Sequence, residues 1–275
     1  EKYGELTNIW YVNVKNRNIA HENNIYNIYD RNCCASLLGF NDGIRKDIID
    51  SIISVNQSNE IILPKKITDN KTLQILSETK FDYYFDFETI NGVLNENIDD
   101  IDIYNSKSDS DCIFMIGLGF KYDENIDSNE IIKEINSKDY KCEIKYKKIK
   151  EWEYLCFYIN FISNKEEENL IHSFLKFLKL RYSVLSNYYN EFKNNRLFHW
   201  TGAEITNLKT FKNKAITNSE GDIINYNLNS LFEWLIKYSD FNDLYKLFLD
   251  NQIVINGCFN FKLKTIANSL YKKKK

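Results

Sequence analysis

The amino-terminal part of the chain combines one helical repeat of apolar residues with short polar connectors. Isoleucines recur every three or four positions over residues 42–55, which predicts an amphipathic helix. Residues 9–14 (IWYVNV) have the composition of a strand. The polar segment 64–70 indicates a connector to the next part of the chain. Residues 1–74 are therefore predicted to form a small α/β or helical extension, or a junction to a partner module.

From residue 81 onward, short apolar runs of strand type alternate with helical repeats. The predicted strands cover residues 81–89, 112–122, 153–162 and 196–200. The predicted helices cover residues 168–189, 203–211, 228–249 and 261–271. An acidic, turn-rich insertion occupies residues 91–111. Strands followed by alternating helices and strands predict an α/β fold with a mixed sheet flanked by helices.

Composition narrows the possible classes of protein. The 275 residues are 43% hydrophobic and 27% charged, which excludes a disordered chain, and no apolar run is long enough to span a membrane. A net charge of -3 excludes a globally basic nucleic-acid coat, so any nucleic acid would be held locally. Six cysteines without a CxxC pair argue against structural zinc and favour reduced thiols. We therefore expect an intracellular protein, cytoplasmic or nuclear.

The strongest chemical signal is the pair Asp86 and Glu88 within the run YYFDFETI. Residues two apart on a strand share a face, so the two carboxylates point the same way. Paired carboxylates are the ligands that Mg²⁺ and Mn²⁺ prefer, and a two-metal site for phosphoryl transfer uses such pairs. A solvated acidic face on an edge strand explains the same pattern. The residues alone leave both interpretations open.

The string FDFET, the following strand IFMIGLGF, a helix and a short strand that ends in His199 resemble the ribonuclease-H-like domains of DEDD-type 3′–5′ exonucleases. Within that group the chain is most similar to the domains found beside RecB-type nucleases, including those of large DNA viruses. The resemblance assigns metal ligation to Asp86, Glu88 and Glu204, which follows His199 by five residues as the third acid does in the family. Here Glu replaces the usual Asp, and Trp200 and Ala203 replace the usual Asn and Phe.

From the residues alone, Glu204 is also explained as an ordinary acid in the first turn of a helix, where the dipole favours an anion. His199 is expected to pack beside the site or to support a ligand, because hard cations prefer oxygen.

The family's fourth acid is the gap in the resemblance. It would follow the segment 259–271 (FNFKLKTIANSLY), and the sequence ends at Lys275. We therefore expect the ribonuclease-H-like domain, residues 75–275, to be truncated at its carboxyl terminus. Asp243 is the candidate substitute acid, although its family counterpart begins a helix and binds no metal.

The resemblance implies a hydrolase that cleaves phosphodiester bonds of DNA or RNA, a 3′–5′ exonuclease acting on single-stranded ends with two Mg²⁺ or Mn²⁺ ions. It also implies a RecB-type nuclease or helicase module in the same full-length protein, and no membrane partner. The alternative is a catalytically inactive ribonuclease-H-like domain that serves as a binding platform for nucleic acid or protein.

A basic cluster between residues 140 and 152 is the remaining substrate feature. It interleaves lysines with aromatic residues, and its members are Tyr140, Lys141, Lys145, Tyr146, Lys147, Lys148, Lys150 and Trp152. Such a cluster suits contact with a phosphate backbone and stacking on bases. A solvated strand or hairpin face is the alternative explanation.

Overall fold

The computed structural model describes residues 4–90, 111–137, 142–189, 194–216 and 223–273. The chain divides into two compact units. One consists of residues 78–243, and the other combines residues 1–77 with residues 244–275. The sequence-based boundary at 74/75 lies close to the first border between the units. Residues 244–275, which the sequence assigned to the ribonuclease-H-like domain, belong instead with the amino-terminal residues.

The larger unit is an α/β fold built on a mixed sheet. Its strands are β2 (Asp82–Ile90), β3 (Cys112–Lys121), β4 (Glu143–Ile149), β5 (Trp152–Tyr158), β6 (Asn195–His199) and β7 (Ser239–Asp243), in the order β4-β5-β3-β2-β6-β7. Antiparallel pairs join β4 to β5, β5 to β3 and β3 to β2, whereas β6 runs parallel to β2 and β7 parallel to β6. Strand β2 therefore lies in the interior of the sheet, so its interpretation as an edge strand is wrong, although its acidic face is exposed.

Helices cover one face of this sheet. They are α4 (Ser128–Asn136), α5 (Asn164–Tyr188), α6 (Ala203–Ile216) and α7 (Tyr226–Tyr238). The long helix α5 begins where the side chain of Ser163 accepts a hydrogen bond from the backbone of Glu166. Its residue Phe174 packs on Phe85 and Phe87 of β2, with ring centroids 6.1 Å apart in each pair. The odd-numbered residues of β2 are thus buried under α5, so that its even-numbered residues point to the other face.

The smaller unit contains short helices and a two-stranded sheet. Its elements are α1 (Val14–Glu22), α2 (Ile44–Gln57), β1 (Ile62–Leu63), α3 (Asn70–Leu76), α8 (Leu244–Asp250), β8 (Val254–Ile255) and α9 (Leu263–Lys273). Strands β1 and β8 pair antiparallel. The predicted amphipathic helix is confirmed as α2, which buries Ile48, Ile49, Ile52 and Ile53. No helix among the described residues is both long enough and apolar enough to cross a membrane.

Two sequence-based predictions of secondary structure are wrong. Residues 9–14 are not a strand, because the side chain of Asn13 accepts hydrogen bonds from Lys15 and Asn16 and starts α1 at Val14. The helix expected over 228–249 is interrupted by β7, whose backbone pairs with β6. The insertion predicted between residues 91 and 111 lies almost entirely outside the described residues, which resume at Asp111.

Candidate active site

Asp86 and Glu88 lie together on the face of β2 opposite the one on which α5 packs. Burial alternates along the strand, with Phe85 and Phe87 buried and the two acids exposed. On the neighbouring strand β3, the residue opposite Asp86 is Gly117. Because glycine has no side chain, the space beside the Asp86 carboxylate is open on that side. The sequence-based prediction that these acids share a face is confirmed.

The junction between β6 and α6 brings a third acid to the same place. Strands β2 and β6 run parallel, so their carboxyl ends meet at one edge of the sheet, where side chains of a functional site gather. Strand β6 ends at His199, and α6 begins at Ala203 with Glu204 in its first turn. The side chain of Thr201 accepts a hydrogen bond from the backbone of Ala203 at 3.3 Å. This turn fixes the direction of the helix, and Glu204 is 6% exposed.

The carboxyl groups of Asp86 and Glu204 are in hydrogen-bond contact. Burial, then the charge of Glu204 and the hydrogen bond to it, raise the pKa of Asp86, and the charge of Glu88 adds to the effect. Burial, the largest single effect, would raise the pKa of Glu204 as well, but the contact with His199, a backbone hydrogen bond, the charge of His199 and the contact with Asp86 together lower it. Two carboxyl groups this close need a shared proton or a cation between them.

His199 supports Glu204 from inside the protein. The imidazole is 4% exposed, and its centroid lies 5.8 Å from that of the Phe85 ring. Its Nδ1 atom contacts the carbonyl oxygen of Thr201 and lies 3.6 Å from Oε2 of Glu204. A carbonyl oxygen only accepts, so Nδ1 carries a proton. Burial by itself would lower the pKa of His199, but these contacts and the nearby Asp243 raise it.

Asp243 is the carboxyl-terminal residue of β7 and lies directly across from His199 in the parallel pair β6–β7. Its charge acts on His199 and helps to raise the pKa of that imidazole. The candidate substitute acid therefore stands beside the histidine, while Asp86, Glu88 and Glu204 form the acidic group itself. The sequence predicts helix at β7, so this alignment does not follow from the sequence.

Thr201 is the residue that sequence reasoning missed. Besides holding the start of α6, its hydroxyl group lies 3.5 Å from Oε2 of Glu204. The sequence does contain a pattern that indicates this role, in the run Thr201-Gly202-Ala203-Glu204. Thr followed three residues later by Glu is typical of a helix start, where the two side chains cap the backbone reciprocally.

The donor set fits a hard divalent cation. Carboxylate oxygens are the ligands that Mg²⁺ and Mn²⁺ prefer, and Asp86 and Glu204 already approach each other closely. Glu88 stands two positions along the same exposed row and is the nearest additional donor. In the part of the chain that the structure describes, no group of three or more Asp, Glu, His or Cys side chains is already arranged to hold a metal ion.

The basic cluster divides between the two faces of the β4–β5 hairpin. Lys145 and Lys147 are exposed on the face that carries Asp86. The hydroxyl group of Tyr146 donates a hydrogen bond of 2.7 Å to Glu153 on the other face. The Nζ atom of Lys148 lies 3.0 Å from the ring centroid of Tyr122. Two further cluster members, Tyr140 and Lys141, lie outside the described residues.

Comparison with known proteins yields no match among protein families, curated proteins or solved structures.

Proposed function

We propose that the chain is a metal-dependent nuclease that hydrolyses phosphodiester bonds of DNA or RNA, acting as a 3′–5′ exonuclease on single-stranded ends. The observation that carries the proposal is the contact between the carboxyl groups of Asp86 and Glu204, with Glu88 beside them. These acids come from a strand interior and from a helix start that are far apart in sequence.

A divalent cation explains why an acidic group is placed there. Asp86, Glu88 and Glu204 would hold Mg²⁺ or Mn²⁺ through carboxylate oxygens, two ions in the arrangement that the resemblance implies. When bound, such ions lower the pKa of an attacking water and stabilise the leaving oxygen of a phosphodiester. The bound metal ions would then supply positive charge at the scissile phosphate, although the net charge of the chain is -3.

The surrounding residues orient the acids. His199 and Thr201 both contact Glu204, and their own positions are set by the end of β6 and the start of α6. Because His199 is buried, it acts on Glu204 and not on substrate. Asp243 faces His199 from β7 and stabilises its protonated form. We assign Asp243 a positioning role in preference to that of the fourth metal ligand.

The topology supports a ribonuclease-H-like fold for the larger unit. The acidic strand β2 lies inside a mixed sheet, β3 follows it antiparallel, and the short strand β6 ends in a histidine at a strand-to-helix junction. A neighbouring RecB-type module, an intracellular location and a viral source remain predictions from the sequence.

The alternative is a binding platform without catalytic activity. The observation that favours it is the absence, among the described residues, of a preformed group of three metal ligands. A platform would bind nucleic acid with or without divalent metal and would leave it intact.

The two functions are separated by incubating the chain with single-stranded DNA and RNA labelled at the 5′ end. In Mg²⁺ or Mn²⁺ we expect a ladder of products shortened from the 3′ end, and in EDTA no products. Intact substrate in both metals, with binding retained, would favour the platform. Internal cleavage of a circular single strand would contradict the exonuclease assignment while leaving metal-dependent hydrolysis in place.

A further inference from the structure

The sheet face that carries Asp86 continues across β3, β5 and β4 as a surface that none of the described helices covers, and we call it the open face. It presents in turn a glycine row, an aromatic row and a basic row, formed by Gly117, Gly119, Tyr154, Tyr158, Lys145 and Lys147. None of these residues is buried. The acidic residues therefore lie at one side of the open face and the lysines at the other, with the glycines and tyrosines between them.

Register places specific residues of this surface in line. Asp86 pairs with Gly117, Gly117 with Cys156, and Cys156 with Lys145. Three strand spacings separate Asp86 from Lys145, which corresponds to about 14 Å. A parallel line beside it runs from Tyr84 through Gly119 and Tyr154 to Lys147.

The glycine row forms a floor that is open at Gly117, whereas at Gly119 the ring of Tyr154 lies 3.5 Å from where a Cβ atom would stand. A Cβ atom built on Gly117 would find its nearest neighbour, the backbone oxygen of Asp86, at 4.0 Å. A side chain is therefore sterically possible there, and its absence keeps the way to Asp86 open. Neither Gly117 nor Gly119 has a positive φ angle, so backbone conformation does not explain the glycines.

The aromatic row offers ring surfaces to solvent. Tyr154 is 43% exposed, and Tyr84 on the neighbouring line is 38% exposed and stacks on Phe198 at a centroid distance of 5.1 Å. Tyr158 is half-buried, and Nζ of Lys145 lies 4.7 Å from its ring centroid. Exposed rings on a sheet surface are the usual platform on which unpaired bases stack.

The basic row supplies charge for phosphates. Lys145 and Lys147 are exposed on the edge strand β4, and neither forms an ion pair with any described carboxylate. The acidic residue Glu143 also lies on this face of β4, but it pairs with Tyr158 and so lies outside the two lines. The lines that lead to Asp86 and Tyr84 end in the positive charges of Lys145 and Lys147. The local charge is thus complementary to a polyanion, although the net charge of the chain is -3.

We propose that the open face binds single-stranded nucleic acid, with phosphates at Lys145 and Lys147, bases on Tyr154 and Tyr158, and the strand crossing the glycine floor toward Asp86. The inference rests on the proposed function for its direction toward Asp86, but binding by this face does not require hydrolysis. A duplex suits the surface less well, because its bases are already stacked and paired and do not present a free face to the tyrosines.

The test measures the anisotropy of fluorescein-labelled oligothymidylate and oligouridylate with the full chain in EDTA, over a series of salt concentrations. The double variant Lys145→Glu, Lys147→Glu should bind at least tenfold more weakly. Loss of two phosphate contacts should also lower the slope of log affinity against log salt by about 1.4. Tyr154→Ala should weaken binding by about tenfold, whereas Tyr154→Phe should bind as the wild type does. Gly117→Leu should weaken binding without a change of charge.

Matched controls lie on the helix side of the sheet. Lys133→Glu with Lys165→Glu makes the same charge change on α4 and α5, and Tyr188→Ala removes an exposed ring from α5. Equal effects of the control and open-face variants would overturn the proposal, as would the absence of binding by the folded wild-type chain. Binding that depends on the open face without hydrolysis in Mg²⁺ or Mn²⁺ would support the inference and refute the proposed activity. Hydrolysis by the wild type, together with unchanged affinity in the open-face variants, would support the proposed activity and refute binding by the open face.

Discussion

The carboxyl group of Asp86 shares a hydrogen bond with that of Glu204, although one belongs to the interior strand β2 and the other to the first turn of α6. Glu204 is itself held by His199, which lowers its pKa, while the pKa of Asp86 is raised. Two charged carboxylates held this close repel each other, which costs stability unless a proton or a cation lies between them. The following predictions test that arrangement and the packing around it.

Divalent metal should stabilise the chain through the acidic pair. At a free Mn²⁺ concentration of 100 times the dissociation constant, binding adds about 2.7 kcal/mol to the free energy of unfolding. For a unit of this size the midpoint of thermal unfolding should rise by about 8 °C. The double variant Asp86→Asn, Glu204→Gln should show no rise of its unfolding temperature on addition of Mn²⁺. Equal responses of both proteins to Mn²⁺ would place the metal elsewhere.

His199 should matter through its hold on Glu204. His199→Phe keeps an aromatic ring beside Phe85 but removes the Nδ1 proton that faces Thr201 and Glu204. Loss of such a supporting contact lowers metal affinity by about 10- to 100-fold. Calorimetric titration with Mn²⁺ measures the affinity directly, and His172→Phe on α5 is the matched control. An unchanged affinity in His199→Phe would mean that Glu204 is not positioned by the histidine.

Asp123 should make the larger unit sensitive to acid. Burial raises the pKa of this carboxyl group, but hydrogen bonds from Lys80 and Tyr189 outweigh that effect and lower it from 3.8 to about 2. The folded state then binds its proton at lower pH than the unfolded state. The stabilisation, about 2 kcal/mol, is therefore complete above pH 4 and is lost as the pH falls toward 2.

Asp123→Asn should lower the free energy of urea unfolding at pH 7 and leave less acid dependence between pH 4 and pH 2. The exposed neighbour Glu124 gives the control, because Glu124→Gln should change neither quantity. A variant of Asp123 that keeps the full stability at pH 7 would contradict the assigned hydrogen bonds.

The buried carboxylate of Glu167 should depend strongly on its cationic partner. Glu167 is fully buried, accepts a hydrogen bond from the backbone of Ile113 at 2.8 Å and lies 2.6 Å from Nζ of Lys214. It thereby links α5, β3 and α6. Lys214→Met leaves that charge without its ammonium group and should cost about 3 kcal/mol in urea unfolding. The exposed pair Lys133–Glu130 is the comparison, since Lys133→Met should cost less than about 1 kcal/mol.

Much of the larger unit could be predicted from local pattern. The alternation in YYFDFETI correctly gave a strand with Phe85 and Phe87 buried and Asp86 and Glu88 on the other face. The strand-to-helix junction at His199 was also predicted, because a short apolar run followed by Thr-Gly is a strong local signal. Such features are set by nearest neighbours in sequence.

The remaining features depend on contacts between distant residues. Strand β7 has little apolar character and is fixed by pairing with β6, so its sequence read as helix. For that reason the position of Asp243 opposite His199 was not foreseen. The hairpin of β4 and β5 places Lys145 and Tyr146 on opposite faces of the sheet. The composition of the basic cluster does not show which of its lysines and aromatic residues share a face.

The most direct test of the central claim is metal-dependent degradation of a labelled single strand by the wild-type chain, by Asp86→Asn and by the control Glu124→Gln. The account predicts products in Mg²⁺ or Mn²⁺ for the wild type and the control, none in EDTA, and a rate at least about 100-fold lower for Asp86→Asn, because loss of a charged contact at the reacting centre typically removes several kcal/mol. Degradation by Asp86→Asn at the wild-type rate would contradict the site, and intact substrate with every protein would contradict the activity.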